Sequence, residues 1–153
     1  MESSGPPAYR KLLVAFDGSD GARTALAKAA ALGRAWDAEL VLAQCTGAFE
    51  PGPGGVVEPP ADPAGAEAAL AGLKEAIAAL PDPPPHELRV VEGHPPEALL
   101  ALGEEVGADL VITGSRGKAL LRQAALGRVS STLVSHAACD VLVVQPEAKG
   151  GNG

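Results

Sequence analysis
The chain has 153 residues, of which 46% are hydrophobic and only 3% aromatic, and it carries a formal net charge of -7. That length fits one domain able to hold a core without disulfides or metals, a core filled by Val, Leu, Ile and Ala rather than by rings. The acidic balance argues against general binding to nucleic acid or to an anionic membrane, since both need a broad cationic surface.

Residues 1–9 and 147–153 are Gly-, Ser- and Pro-rich or polar, and read as flexible tails around a single domain spanning 10–146. The opening MESSGPPAYR has no apolar run, so it does not read as a signal peptide, and the longest apolar runs fall far short of a membrane span. Lys11–Phe16 (KLLVAF) reads as a buried strand. Ser19 or Asp20 can cap a helix that runs to about Trp36, with Ala22, Leu26, Ala29, Ala30 and Gly33 on one small-residue face. Glu39–Gln44 (ELVLAQ) is a second strand. Gly and Pro break the pattern over 46–63, which reads as an exposed loop.

A helix from Pro63 to about Leu80 follows, then a Pro break at 81–85 and a third strand, Glu87–Glu92. Pro95–Val106 reads as a helix with Pro in its first turn and Gly107 past its end. Asp109–Thr113 (DLVIT) is a fourth strand, a helix covers Ser130–His136, and Val141–Gln145 is the last strand. Strands separated by helices imply a parallel sheet covered on both faces. In such a sheet a ligand sits beyond the carboxyl ends of the strands, where the winding reverses. The residues to inspect are therefore those just after each strand: Asp17, Cys45, Gly93 and Gly114.

The segment after the fourth strand, GSRGKALLRQAALGRVSS, carries the chemistry. Gly114 and Gly117 have two residues between them, and nine separate Gly117 from Gly127. Glycines there let backbone N–H groups approach a ligand. Ser130 and Ser131 stand at an expected helix N-terminus, where free N–H groups and the helix dipole attract phosphate. From Leu110 to Cys139 there is no Asp or Glu, while Arg116, Lys118, Arg122 and Arg128 form a positive island in an acidic chain. Taken alone, the stretch fits equally well a loop of solvated cations with glycines that only make turns.

The glycine spacing, with VAFDGSD (Val14–Asp20), AELVLAQ (Ala38–Gln44), GHPPEALLALGEEVGADLVITGSRG (Gly93–Gly117) and HAACDVLVV (His136–Val144), resembles the ATP-binding members of the universal stress protein family. The likeness covers nearly the whole chain outside the tails and the Pro-rich loops. It implies a single-domain, doubly wound, Rossmann-like α/β fold: a five-stranded parallel sheet of order 3-2-1-4-5 with helices on both faces. It also implies ATP as ligand. Asp17 would face the ribose and the phosphates, with magnesium as its candidate metal. Ala15 and Cys45 would border the adenine, with the backbone around Gly114. Arg116, the N–H groups of Gly117 and Gly127, Arg128, the Ser130 hydroxyl and Ser131 would surround the phosphates. The last strand (Val141, Leu142, Val143, Val144) would pair two copies into a homodimer.

One position departs from the family pattern: where the family's ATP binders carry Ser or Thr after the loop's last glycine, this chain has Arg128. A guanidinium there either makes a charge-assisted phosphate contact or fills the phosphate site, leaving a dimeric interaction module that binds no nucleotide. Other chemistries find little support. There is no Walker A pattern and no GxGxxG after a strand. His86, His94 and His136 are scattered over different elements, which argues against a metal cluster. No Ser-His-Asp arrangement or general base is visible, which limits catalysis to slow ATP hydrolysis at most. Cys45 and Cys139 belong to no CxxC pair and read as reduced thiols of a cytoplasmic protein.

Overall fold
The computed structural model describes residues 9–46, 51–52, 55–56, 63–115 and 127–146. Five strands form one parallel sheet: β1 (Lys11–Ala15), β2 (Glu39–Thr46), β5 (His86–Glu92), β6 (Leu110–Gly114) and β7 (Asp140–Val144). Their spatial order is β5-β2-β1-β6-β7, which is 3-2-1-4-5 when the sheet's strands are counted along the chain. Four helices connect them: α1 (Asp20–Trp36), α2 (Pro63–Ala78), α3 (Pro95–Val106) and α4 (Arg128–His136). A two-residue antiparallel ribbon, β3 (Pro51–Gly52) with β4 (Gly55–Val56), lies in the stretch read as irregular loop.

The pleat of β1 divides the core. Leu12 and Val14 point to one face, where they pack with Leu26, Ala29 and Ala30 of α1 and Leu73 and Ile77 of α2. Leu13 and Ala15 point to the other, against Leu99 and Leu102 of α3 and Leu133 of α4. Both faces are covered, as a parallel sheet requires, so the central strands read as continuous apolar runs. Alanines along α1 bring that helix close to the sheet, and Gly33 is part of the same fit: a Cβ there would lie 3.1 Å from Pro84.

Several boundaries follow from local chemistry. Ser19 caps α1, its hydroxyl oxygen accepting the Ala22 N–H at 3.1 Å. The helix ends at Asp37, in the left-handed region at φ 57°. Helix α3 starts with two prolines and ends at Gly107, φ 72°. At the amino end of the sheet the Asp109 carboxylate accepts the N–H groups of Arg10 and Lys11 at 3.1–3.2 Å, tying the start of β1 to the start of β6. Helix α4 begins at Arg128, two residues before the expected start. This shift matters at the site.

Candidate functional site
The winding reverses between β1 and β6, so the crevice beyond their carboxyl ends is bordered by the β1–α1 turn and the start of α4. In that turn the Ser19 N–H donates to Asp17 Oδ1 at 2.9 Å, and Gly18 takes φ 82°, a conformation that suits glycine. The half-buried Asp17 carboxylate is thus oriented by its own turn before any ligand arrives. Phe16, buried just before it, lies under the Arg23 guanidinium, whose carbon is 5.6 Å from the ring centre.

Gly114 ends β6 beside this turn, and its glycine has a reason other than ligand approach. A Cβ at 114 would lie 3.1 Å from both the carbonyl carbon and the oxygen of Gly21, the second residue of α1. Backbone yields less readily than a flexible side chain, and any larger residue at 114 would have to push α1 away by a few tenths of an ångström, so Gly114 suits the close seating of α1 on β6. The sequence pattern pointed to Gly114 for the ligand's sake; the helix accounts for it first.

At the other border, α4 starts from Gly127, whose φ of -73° and ψ of 173° any residue can adopt. Its N–H donates to the Ser115 carbonyl at 2.6 Å, and its own carbonyl accepts the Ser131 N–H at 3.0 Å. Because the helix begins at Arg128, Ser130 lies in the first turn and is turned inward. It is only 2% exposed, with its hydroxyl 3.0 Å from the Ser115 carbonyl and 3.2 Å from the Gly127 carbonyl. An outward phosphate contact from Ser130 Oγ was the expectation; the hydroxyl proton is directed at main-chain carbonyls instead. Ser131 and Arg128 are exposed. Arg116 and Gly117 lie outside the described residues.

Four helices begin at this end of the sheet, and the three whose capping residues are described, α1, α3 and α4, differ as anion sites. The start of α1 is filled by the Ser19 oxygen and followed by the acidic Asp20. The start of α3 carries Pro95 and Pro96, which have no N–H, and Glu97 in its first turn; His94 Nε2 stands 3.3 Å from Glu97 Oε1. The start of α4 has no side-chain cap, no acid in its first turn, and the cationic Arg128 as its first residue. The first N–H groups of a helix have no acceptor within it, and the dipole places positive potential there.

On the α3 and α4 side of the sheet, Ala15 is 8% exposed at the end of β1, and Cys45 is half-buried near the end of β2. Cys45 Sγ donates to the Pro95 carbonyl at 3.7 Å. Burial pushes its pKa up to about 11, so the thiol is neutral at physiological pH and suits a wall better than a nucleophile. Two features escaped sequence reading: the Ser115 carbonyl as a meeting point of donors, and the packing role of Gly114. Neither a main-chain acceptor nor a neighbouring helix leaves a mark in a motif.

Comparisons with known proteins agree with this architecture. The sequence profile of the Universal stress protein family matches residues 8–145. A universal stress protein of Thermus aquaticus, in the 3' region of a QAH/OAS sulfhydrylase, is 36% identical over 142 residues, covering 90% of this chain and 99% of its own. Among solved structures, a universal stress protein in complex with cAMP is 29% identical with a TM-score of 0.67, covering 92% of this chain and 100% of its own. A universal stress protein from Lactobacillus plantarum shares the fold with a TM-score of 0.74 at 23% identity, covering 91% of this chain and 99% of its own.

Proposed function
Because the chain belongs to the universal stress protein family, we propose that it is an ATP-binding regulator whose nucleotide lies in the crevice between β1 and β6. The observation that carries this reading is the acid-free N-terminus of α4, headed by Arg128, beside the same crevice as Asp17; the α1 start is capped by Ser19 and followed by Asp20, and the α3 start has two prolines without N–H and the acidic Glu97. The relative solved with cAMP lends support at the level of nucleotide binding.

In this reading the N–H groups at the start of α4 receive the phosphates, joined by Arg116 and Gly117 from the preceding segment. Arg128 adds a charge-assisted contact from the rim. Ala15 and the neutral Cys45 border the base, and Asp17 faces the ribose. Asp17 is also the residue that would hold magnesium, whose role is to neutralise phosphate charge. The Ser19 N–H fixes the Asp17 carboxylate in its turn, and a carboxylate is a ligand type that suits magnesium. Occupancy would act by setting the protein's shape or its choice of partner.

Calorimetric titration with ATP and magnesium tests the proposal. Binding at micromolar to tens of micromolar, worth about 6–8 kcal/mol, is the expected result. No heat and no thermal shift at millimolar ATP overturns it in favour of an interaction module with Arg128 in the phosphate site. The exposure of Arg128 favours contact over blockage.

The proposal includes a homodimer through β7, in the cytoplasm; among the described residues no helix is long and apolar enough to cross a membrane. The two sheet edges support the choice of strand. Both edges carry half-buried apolar residues, but on β5 Leu88, Val90 and Val91 are interleaved with the ion-paired Arg89 and flanked by the exposed His86, Glu87 and Glu92, which discourage strand addition. On β7 the central Val141, Leu142 and Val143 are half-buried and apolar. A second copy would cover them and pair the edge isologously. Light scattering at tens of micromolar should find a dimer that Val143→Lys shifts towards monomer; a monomeric wild type rules this interface out.

A further inference from the structure
We propose that Ser130 is a positioning residue for the nucleotide, acting by fixing the start of α4 to the end of β6; the inference rests on the ATP reading above. The Ser115 carbonyl, one residue beyond β6, receives the Gly127 N–H at 2.6 Å and has the Ser130 hydroxyl at 3.0 Å. The Ser115 N–H in turn donates to the Val144 carbonyl at 3.0 Å, the last residue of β7. Two strands of the sheet and the first turn of α4 therefore meet at the main chain of one residue, Ser115. Ser115 and Ser130 are each 2% exposed, so water cannot replace these bonds. A hydroxyl carries a single proton. With the carbonyls of Ser115 and Gly127 both within 3.2 Å, that proton is used inside the protein.

The consequence for binding is geometric. Helix N–H groups favour an anion only when they are held where the anion arrives, and a preorganised donor loses nothing to rearrangement on binding. Gly127 offers no side chain with which to fix the helix start, and neither Arg128 nor Ser131, both exposed, is seated against the sheet. Ser130 supplies that anchorage from within the first turn. A threonine in its place keeps the bond, since its hydroxyl also reaches carbonyls three residues back in a helix.

The test pairs a measurement on ligand-free protein with one on nucleotide. In Ser130→Ala, amide hydrogen exchange at Gly127 and Ser131 should quicken without ligand. ATP affinity should fall by roughly five- to ten-fold, the worth of about one hydrogen bond. Adenosine, lacking phosphates, should bind as before, which separates lost positioning from general damage. Ser130→Thr should restore both exchange and affinity. Weakened ATP binding with unchanged exchange would mean that the hydroxyl touches phosphate directly, and overturns the proposal. Faster exchange with unchanged ATP affinity also overturns it, because the anchorage would then serve stability alone. A wild type that takes up no ATP removes the nucleotide reading and the positioning role with it, while the exchange data still decide whether Ser130 holds the helix start.

Discussion

The starts of α1 and α4 face the same crevice and solve the same problem in opposite ways. At α1 part of the demand is met from within: Asp17 takes the Ser19 N–H of the preceding turn, Ser19 takes the Ala22 N–H, and Asp20 adds a negative charge to the positive end of the dipole. At α4 the capping position is held by Gly127, which has no side chain, and the Ser130 hydroxyl is turned away towards carbonyls. A capped helix start with an acid behind it repels an anion; an acid-free start headed by an arginine is the one that the proposed phosphates would use. Glycine also has two meanings across this crevice. Gly114 makes room for backbone of the same protein, whereas nothing in the conformation of Gly127 demands a glycine.

The largest effect should come from making α4 resemble α1. Gly127→Asp introduces a favoured N-cap at a φ and ψ that suit it, so the fold should hold or gain a few tenths of a kcal/mol. Its carboxylate would occupy the proposed phosphate position, and ATP affinity should fall about a hundred-fold, or roughly 2.7 kcal/mol. A titration in which Gly127→Asp binds like wild type would show that the difference between the two starts has no functional meaning. Next in size is Arg128→Ala, which should weaken ATP by about 1.5–3 kcal/mol if the guanidinium meets phosphate. Arg128→Ser sharpens this: tighter binding than wild type would identify the arginine as an obstruction.

The α1 side should respond in stability. Gly114→Ala drives a methyl against the backbone of Gly21 and should cost about 1–3 kcal/mol, read as a lower midpoint in thermal or urea unfolding. Retained stability would mean that α1 gives way easily. The smallest effect is that of Ser19→Ala, about 1 kcal/mol of stability with ATP affinity little changed. A loss of binding as large as that in Gly127→Asp would erase the contrast between the two helix starts.

Much of the fold was legible because its signals are local. Ser19 before an apolar-periodic run, paired prolines at 95–96 and Gly107 each mark a boundary within a few residues, and the structure places α1 and α3 where those marks stand. The start of α4 was harder. Arg128 and Val129 have no capping chemistry, so the visible serines drew the boundary two residues late, and Ser130 was given an outward role. The short β3–β4 ribbon was missed since its glycines and prolines are what irregular loops also contain. For the site, the motif pointed to the segment between β6 and α4, of which residues 116–126 lie outside the described residues. What a motif does not carry is direction: whether a serine faces in or out, or whether a glycine yields to a ligand or to a helix, depends on neighbours far away in the chain.

Tyr9 and Trp36 are the chain's single tyrosine and single tryptophan, and their rings lie 5.1 Å apart at the amino end of the sheet, opposite the crevice. The Tyr9 hydroxyl donates to Asp140 Oδ2 at 2.5 Å, so this pair also ties the entry of β1 to that of β7. The molecule is therefore supplied with its own optical gauge. Light absorbed by Tyr9 passes to Trp36 while the rings are in contact, and tyrosine emission returns when the amino-terminal segment lifts away. No indole or phenol stands at the crevice. Intrinsic fluorescence thus watches the anchoring of the first strand and the last, while the carboxyl end of the sheet stays dark to it and needs a reporter of its own.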